Sequence, residues 1–600
     1  MTEPVTEPVG SVVTLVERWC LARPAAVAVE LPDGTGATYA ELHRRVGRIL
    51  TAIRPAAAGD RPVVAVDLPN GLDFCATVLA VLAGGATLLT VDRTLPAARL
   101  ATMMSRAEPR LLVTDRTGDA LPWAPPSMAV LRLGAEEAGL EETGETVPVD
   151  GWGAGPEDPD APAYVIFTSG TTGIPKAAVN THTGLLSHML FVRETCPLPP
   201  GSRVLLKSAR SFDAWLLEFF WALTQGVTLV LADEERATDA GHLAAELADR
   251  SIHALVAVPS LLKRIFDVLA RTGGTTALRY VVSAGEPLRA ALAEQILSSG
   301  GTRLFNFYGP AEAAIDVAYH EVTRDRIADP VPIGRAIPGN RLTVRGPDGT
   351  DITRTGAKGE LVVTGAHVGL GYAGDDHATA ARFATAGSGE RSYATGDLAF
   401  LGPDGDFYIG GRMDSQVKIN GVRIETEEIE AHLLRHETVA DCTVQVTHSG
   451  DSPVLVAFIK ANGQAAAKSE YINHLRGLLP PVMVPPAYVF VDDFGVLPSG
   501  KKDTSRLEFP RGLPTVTAAE FEAPDGELEQ GLAEIWESVL QVSPIGAVDD
   551  FSLVGGESLK MIDVLVKVSD SVYPDIFTLR ITKLSTVRDL ARKIQTAKGA

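Results

Sequence analysis

The sequence predicts a layered α/β protein with mainly parallel sheets, followed by a small all-α domain at its carboxyl end. Over about the first 400 residues, short apolar runs typical of buried strands alternate with helical patterns such as Asp239–Asp249 and Leu261–Ala270. From about residue 342, short strands with Gly and Pro-Asp-Gly turns predict a β-rich subdomain. Beyond residue 527, amphipathic patterns at Leu528–Leu540 and Ser558–Val568 predict a small helical bundle.

The predicted buried strands of the large α/β part are Val63–Leu68, Leu111–Thr114, Tyr164–Thr168, Arg203–Lys207, Val227–Leu231, Ala254–Val258 and Tyr280–Ser283. A chain of 600 residues is too long for one ordinary core. We therefore expect a large amino-terminal core over residues 1–412, a small α+β subdomain over 413–510, a linker over 511–526 and the helical domain over 527–600.

Composition excludes several classes of function. The chain carries 54 Lys and Arg against 75 Asp and Glu, a net charge of −21, which disfavours a nucleic-acid binder. Its four cysteines form no CxxC pair, so neither a zinc site nor a disulfide framework is indicated. The uncharged run Phe74–Val91 is interrupted by Gly84-Gly85, and we interpret it as a buried helix to Ala83, a turn and a strand Thr87–Val91. With no signal peptide either, we expect a soluble, cytoplasmic protein that binds no membrane.

The densest motif is a glycine-rich loop directly after the predicted strand that ends at Thr168. Its hydroxyl, glycine and lysine residues are Thr168, Ser169, Gly170, Thr171, Thr172, Gly173 and Lys176. Backbone N–H groups and hydroxyls in such a loop can bind a polyphosphate, and the lysine adds a cation. The spacing does not fit a Walker A loop. A polar surface turn is the alternative, but the length and hydroxyl content favour phosphate binding.

Further segments match one family in chain order. They are Ala83-Gly84-Gly85-Ala86 with Val91-Asp92, Asn306-Phe307-Tyr308-Gly309-Pro310-Ala311-Glu312, Tyr393-Ala394-Thr395-Gly396-Asp397-Leu398, the stretch 411–421 and Leu497-Pro498-Ser499-Gly500-Lys501. Together with the glycine-rich loop they resemble the adenylate-forming superfamily of acyl-CoA ligases, luciferases and adenylation domains of nonribosomal peptide synthetases. The resemblance covers nearly the whole chain.

The resemblance implies ATP and Mg²⁺ as ligands and gives each matched residue a role. Glu312 is the expected Mg²⁺ ligand, Asn306 and Tyr308 belong to the nucleotide-site motif, in which Tyr308 offers a face to adenine, and Asp397 is suited to the ribose hydroxyls. Arg412 and Arg423 are candidate phosphate or ribose contacts. The structural alternatives are a solvated acid at a helix start for Glu312, a β-turn aspartate for Asp397 and a salt bridge for Arg423.

Two residues are expected to act through motion of the small subdomain. Lys501 matches the family's catalytic lysine, which supplies positive charge where charge develops during attack on ATP. Asp414 matches the hinge position at which the subdomain rotates between the two half-reactions. One residue departs from the family pattern, because Ala311 stands where a threonine is common, and the efficiency of α-phosphate binding is therefore in question. We interpret His182, which also matches a family position, as structural.

The segment Asp549–Leu559 resembles the attachment motif of carrier proteins, with Val554 and Glu557 as conservative departures from its consensus. The resemblance implies an all-α four-helix carrier domain in which Ser558 takes 4′-phosphopantetheine from a phosphopantetheinyl transferase. An exposed hydroxyl at a helix start suits an incoming phosphate, although a serine there is also an ordinary helix cap.

The substrate pocket is carried over by register from amino-acid-activating members. Asp213 is expected to pair with an α-ammonium group, since a buried carboxylate is unfavourable unless paired. The other pocket positions are Ala214, Leu217, Ala257, Val282, Ala284, Phe307, Ile315 and Asp316. Their mostly apolar character favours an apolar, medium-to-large amino acid. A polar or cationic one, bound by Asp316, is the second choice, because Asp316 lies either at a solvated rim or against the substrate side chain.

The sequence thus predicts an amino-acid-adenylating ligase that loads its own carrier domain in nonribosomal peptide or related antibiotic biosynthesis. We expect a free-standing or initiating unit that passes its aminoacyl group to separate downstream enzymes. The sequence leaves open whether a small activating partner protein takes part. The alternatives are an aryl or acyl acid ligase, which Asp213 disfavours, and a catalytically silent carrier scaffold, for which Ala311 is the sequence support.

Overall fold

A computed structural model gives the fold of the chain. It describes residues 10–57, 62–116, 121–133, 151–152, 158–170, 173–325, 327–414, 416–419, 421–449, 452–495, 502, 504, 507, 509, 522–540, 544–549, 551, 554, 556, 558–576 and 586–599. The chain divides into two compact units. The first comprises residues 1–169, 175–238 and 242–422, and the second comprises residues 170–174, 239–241 and 423–600. The sequence-based division at residue 412 stays a prediction.

The strands of residues 1–422 range from two to 11 residues in length. They are β1 (Val27–Glu30), β2 (Gly36–Thr38), β3 (Val63–Asp67), β4 (Thr87–Thr90), β5 (Leu111–Thr114), β6 (Ala129–Arg132), β7 (Pro162–Thr168), β8 (Lys176–Thr181), β9 (Arg203–Leu206), β10 (Thr228–Leu231), β11 (Ala254–Ala257), β12 (Tyr280–Ser283), β13 (Arg303–Tyr308), β14 (Ala318–Val322), β15 (Arg335–Ala336), β16 (Asn340–Arg345), β17 (Gly359–Gly365), β18 (Gly371–Tyr372), β19 (Phe383–Thr385), β20 (Arg391–Leu401), β21 (Phe407–Arg412) and β22 (Val417–Ile419).

The helices of the same region connect and cover these strands. They are α1 (Val12–Ala22), α2 (Tyr39–Ala57), α3 (Leu72–Ala83), α4 (Ala97–Ala107), α5 (His182–Thr195), α6 (Ala214–Leu223), α7 (Ala240–Asp249), α8 (Pro259–Thr272), α9 (Ala290–Ser298) and α10 (Asp376–Arg382), with a 3₁₀ turn at Glu234–Arg236.

Three sheets organise the first unit. A seven-stranded sheet has the order β18-β8-β7-β4-β3-β5-β6, and a nine-stranded sheet has the order β15-β14-β13-β12-β11-β9-β10-β1-β2. Strands β9 to β13 of the larger sheet pair in parallel, so their carboxyl ends share one edge. A five-stranded antiparallel sheet contains β16, β17, β19, β20 and β21. The parallel α/β core and the later β-rich sheet confirm the predicted fold class.

The core of the first unit lies between the two larger sheets. Helix α3 packs on β3 and β4, helix α6 packs on β9, β10 and β11, and the rings of Phe74 and Trp215 join the two helices with centroids 5.6 Å apart. Both helices are buried almost throughout, which explains why their sequences are apolar on every face. The uncharged run is therefore a core helix and a strand, as predicted. None of the helices in the described ranges is long and apolar enough to cross a bilayer.

Strands β22 and β23 (Val422–Ile424) form a two-stranded ribbon, and the longest segment of the second unit is residues 423–600. Its α+β part contains α11 (Thr426–Leu433), β24 (Val439–Ser449), β25 (Ser452–Ala461), α12 (Lys468–Arg476), a 3₁₀ turn at Pro481–Met483 and β26 (Ala487–Phe490). Three helices follow in the described part of the carboxyl-terminal region: α13 (Gly526–Leu540), α14 (Ser558–Ser571) and α15 (Val587–Gly599). They enclose a separate apolar cluster around Trp536 and Phe551, as expected for a small helical domain.

Candidate active site

The predicted pocket residues lie at one edge of the nine-stranded sheet. Their positions follow the carboxyl ends of its parallel strands, where ligands bind in α/β folds. Asp213 and Ala214 stand at the start of α6, Leu217 follows one turn later, Ala257 ends β11, Val282 and Ala284 flank the end of β12, Phe307 lies in β13, and Ile315 and Asp316 lie in the β13–β14 connection. The topology thus brings together residues that are up to about 100 positions apart in the sequence.

The Asp213 carboxylate can accept a positively charged partner. Its Oδ2 atom is inaccessible and has no hydrogen-bond partner in the described part of the chain. Burial, and then the nearby Glu312 carboxylate, raise the pKa of Asp213 to about 7, and the backbone N–H groups of Asp213 and Ile315 act in the opposite direction. Ile315 has a φ of +73°, which is strained for a β-branched residue and is typical of functional sites. The strained turn therefore directs the backbone N–H of Ile315 at the Asp213 carboxylate.

Asp316 is buried, with only 3% of its surface exposed. Its carboxylate Oδ2 lies 3.3 Å from Nε2 of His188, which projects from α5. The interpretation of Asp316 as a solvated rim residue is therefore wrong, and the alternative in which it faces the interior of the pocket region is the one the structure supports.

The predicted ribose ligand Asp397 is fixed by two neighbours. Tyr308 donates its phenolic O–H to Oδ2 of Asp397, and Arg412 donates to Oδ1 at 2.6 Å. Asp397 and Arg412 face each other in the ladder between β20 and β21, and Tyr308 lies at the end of β13. The carboxylate is buried and oriented by charge-assisted hydrogen bonds, and each oxygen retains a lone pair for further donors such as ribose hydroxyls.

Arg412 also binds the predicted hinge residue. Its Nε and Nη2 atoms donate to the two carboxylate oxygens of Asp414 at 2.6 and 2.7 Å, a bidentate pair. Arg382 adds a longer contact to Asp414 at 3.3 Å. In this structure the Arg412 guanidinium therefore links Asp397 to Asp414. Its sequence-based role as a phosphate or ribose contact stays a prediction.

Glu312 lies in a turn and not at a helix start, and its carboxylate is 1% exposed. Tyr372 donates its O–H to Oε1 of Glu312 at 2.7 Å, and Lys176 Nζ lies 5.4 Å from the centre of the Tyr372 ring. Asn180 holds the turn through bonds to the carbonyl of Ala311 at 2.8 Å and the N–H of Ala314 at 3.0 Å.

The donor set at Glu312 suits a shared metal site. Among the described residues no cluster of three or more metal-ligating side chains occurs. Mg²⁺ is commonly held by one or two carboxylates together with substrate phosphates, so a single fixed carboxylate fits a metal that arrives with ATP.

The glycine-rich loop connects two paired strands. Thr168 and Lys176 are opposite each other at the open end of the β7–β8 pair, and Gly173, with φ +78°, donates its N–H to Gly170 O at 3.0 Å. The buried hydroxyl of Thr168 has no hydrogen-bond partner in the described ranges. A buried hydroxyl without a partner is unfavourable, and a phosphate oxygen would satisfy it. Ser169 is buried beside it, while Thr171 and Thr172 lie outside the described residues.

The remaining predicted residues are placed as follows. The Asn306 amide donates to the carbonyl of Pro332 at 2.8 Å, so it ties β13 to a neighbouring loop. Arg423 lies on β23 and Ser558 is the first residue of α14. Lys501 lies outside the described residues. His182 begins α5, and burial lowers its pKa to about 4.

Fold and site together define an adenylate-forming enzyme with an attached carrier domain. The profile of the AMP-binding enzyme family matches residues 16–373, that of the AMP-binding enzyme C-terminal domain matches 428–501, and that of the phosphopantetheine attachment site matches 530–594. The chain belongs to the AMP-binding enzyme family, and it is an adenylate-forming ligase with ATP as its nucleotide and an attachment domain for phosphopantetheine. The family prediction is confirmed.

Two curated relatives and one solved structure show which members the chain resembles. It is 33% identical to tyrocidine synthase 3 of Brevibacillus parabrevis over 590 residues, which is 97% of this chain and 9% of the relative. It is 33% identical to the phosphinothricin tripeptide synthetase PhsB of Streptomyces viridochromogenes, over 96% of this chain and 48% of the relative. The chain thus spans half or less of these relatives.

The solved structure is holo-PA1221, an NRPS protein containing adenylation and PCP domains and bound to a vinylsulfonamide inhibitor. It matches with a TM-score of 0.77 and 26% identity over 98% of this chain and 96% of that chain. The likeness therefore extends over the adenylating and carrier parts alike.

Proposed function

We propose that the chain activates an α-amino acid with ATP, forming aminoacyl-AMP and diphosphate. The thiol of a 4′-phosphopantetheine arm on Ser558 then attacks the aminoacyl carbonyl, forms a thioester and releases AMP. The observation that carries the proposal is the inaccessible Oδ2 of the half-buried Asp213, which lacks a hydrogen bond among the described residues and lies at the strand edge of a chain that also has a carrier domain. A buried carboxylate favours a substrate that brings an ammonium group over an aryl or fatty acid.

The chemistry assigns a task to each described group. A carboxylate oxygen of the amino acid attacks the α-phosphorus of ATP, and diphosphate leaves. Asp213 holds the α-ammonium, Asp397 the ribose, and the glycine-rich loop with Lys176 the phosphates. Glu312 would hold Mg²⁺, which supplies charge neutralisation at the phosphates.

Lys501 supplies further positive charge in the adenylating pose, and Asp414 is the pivot of the subdomain over residues 413–510. The bidentate pair with Arg412 supports a defined hinge position, because rotation at Asp414 must either carry this pair along or break it.

The carrier domain implies other proteins. A phosphopantetheinyl transferase must modify Ser558, and downstream biosynthetic enzymes must accept the bound aminoacyl group. The names of the relatives support nonribosomal peptide or related antibiotic biosynthesis as the context. We place these reactions in the cytoplasm, where ATP and coenzyme A are available. We include a small activating protein among the candidate partners.

The test is ATP–pyrophosphate exchange with a panel of amino acids, aryl acids and fatty acids. We expect exchange with an amino acid, and intact-protein mass should show one phosphopantetheine arm and then one aminoacyl group. Exchange with aryl or fatty acids alone would contradict the amino-acid assignment. Arm attachment without any exchange would support the silent scaffold instead.

A further inference from the structure

One histidine occupies a position in α5 where an apolar side chain would suffice. The buried face of this helix contains Leu185, His188, Met189 and Val192, at the spacing of a core-facing stripe. The His188 ring is fully buried, with its centroid 6.3 Å from that of Phe191, which in turn lies 5.7 Å from the pocket residue Phe307. An imidazole is therefore buried beside the predicted substrate pocket.

His188 and Asp316 form a buried polar pair with unmet hydrogen-bonding capacity. Nε2 and Oδ2 are 3.3 Å apart, yet both atoms, and Nδ1 of His188, lack a hydrogen bond within the described ranges. Such groups are unfavourable in a folded interior unless a ligand or an ordered water completes them.

A neighbouring histidine shows the contrast. His367 is satisfied on both sides, by the backbone carbonyl of Asp316 at 2.8 Å and by the Ser187 hydroxyl at 3.1 Å. It therefore fixes the backbone of Asp316 and leaves the carboxylate of that residue to another partner.

The acidic groups of this region can also accept a second donor. Asp316 is buried and Asp213 is half-buried with an inaccessible Oδ2, and the nearby Tyr164 hydroxyl has no hydrogen-bond partner among the described residues either. Burial, and then the Asp213 charge, raise the pKa of Asp316, while Lys418 acts in the opposite direction. The α-ammonium of an amino acid satisfies only one of the two carboxylates.

We propose that the His188–Asp316 pair is the side-chain recognition element of the pocket, and that the substrate is an α-amino acid whose aliphatic side chain ends in a nitrogen that donates hydrogen bonds. The apolar side chains of Leu217, Val282 and Phe307 suit the methylene stem of the substrate. The small Ala257 and Ala284 leave the pocket deep enough for this stem. The terminal group of the substrate side chain is an amine or an amide. This substrate assignment rests on the proposed function, the adenylation of amino acids. The structure thereby favours the second of the two sequence-based substrate choices.

The test compares matched substrates by kcat/KM in ATP–pyrophosphate exchange: ornithine with norvaline, lysine with norleucine, and glutamine with methionine. We expect the nitrogen-bearing member of at least one pair to be preferred by about tenfold or more, and the three pairs distinguish an amine from an amide. Asp316→Asn and His188→Phe should each reduce that ratio about ten- to hundredfold.

The ratio of two kcat/KM values measured on one protein preparation is insensitive to partial misfolding, because misfolding lowers both kcat/KM values equally. The matched control is Asp406→Asn, which alters a second aspartate–histidine pair, with Asp406 Oδ2 3.1 Å from His320 Nδ1, and should leave the ratio unchanged. Preference for the apolar member in all three pairs, or an unchanged ratio in both pocket variants, would overturn this inference while leaving amino-acid activation intact. Exchange with aryl or fatty acids alone would instead overturn the proposed function, and this inference with it.

Discussion

Binding of the amino acid should depend on pH through Asp213. Burial raises the pKa of this carboxyl from 3.8 to about 7, so it is largely neutral below that pH in the free enzyme. An α-ammonium group needs the ionised form, and the apparent dissociation constant rises as the ionised fraction falls. At pH 6 about one tenth of such a carboxyl is ionised, so the KM for the amino acid should be up to about tenfold higher than its plateau above pH 8.

The pH dependence of the amino-acid KM should also respond to Mg²⁺ and to substitution of Asp213. Glu312 is the second cause of the raised pKa of Asp213, so Mg²⁺ bound at Glu312 should shift the transition towards lower pH. Because burial is the larger cause, the transition should persist with Mg²⁺ present. Asp213→Asn keeps the shape of the side chain and removes its charge. It should lower kcat/KM for the amino acid by about 10²-fold or more and abolish the transition, since one member of a buried ion pair is lost.

The assay is ATP–pyrophosphate exchange between pH 5.5 and 8.5 at saturating MgATP, with the KM for ATP measured over the same range as the control. The amino-acid KM of the wild-type chain should fall with rising pH, and that of Asp213→Asn should stay flat. A flat wild-type profile, or an identical slope in the variant, would refute the role of Asp213 as the ammonium anchor.

Three further predictions concern other groups. Lys501→Ala should slow exchange about 10²–10³-fold with ATP binding retained by equilibrium titration, whereas Lys502→Ala, whose ammonium binds Asp441 at 2.5 Å, should not. Ser558→Ala should gain no phosphopantetheine mass with coenzyme A and a transferase, yet keep its exchange activity. Asp397→Asn should raise the KM for ATP about ten- to hundredfold with little change for the amino acid, as steady-state exchange kinetics will measure.

Much of the fold could be predicted because buried parallel strands are apolar along their whole length. Leu111–Thr114 and Tyr280–Ser283 agree to the residue. Helix α8 begins at Pro259, two residues before its predicted start, because proline fits the first turn of a helix. The order of strands in each sheet could not be predicted, since it depends on contacts between distant segments.

The site was predictable where a motif is contiguous and not where single residues meet across the fold. Glu312 and Asp397 stand in recognisable segments. Asn180, which fixes the turn before and after Glu312, is one polar residue at a strand end, and His188 is one polar residue in an apolar helical face. The signal that could have found His188 is its position on the buried stripe of α5, where a histidine needs a polar partner.

The pocket region carries several features that oppose folding. The Oδ2 atoms of Asp213 and Asp316 are inaccessible and lack a hydrogen bond among the described residues, and Ile315 holds a left-handed backbone conformation that costs on the order of 1–3 kcal/mol. The surrounding core can maintain them because α3 and α6 are buried almost throughout between two extended sheets. A substrate that supplies two nitrogen donors would satisfy both carboxylates at once. A substrate with only an α-ammonium would leave Asp316 unfavourably buried, and the pocket would then discriminate against it without any steric clash.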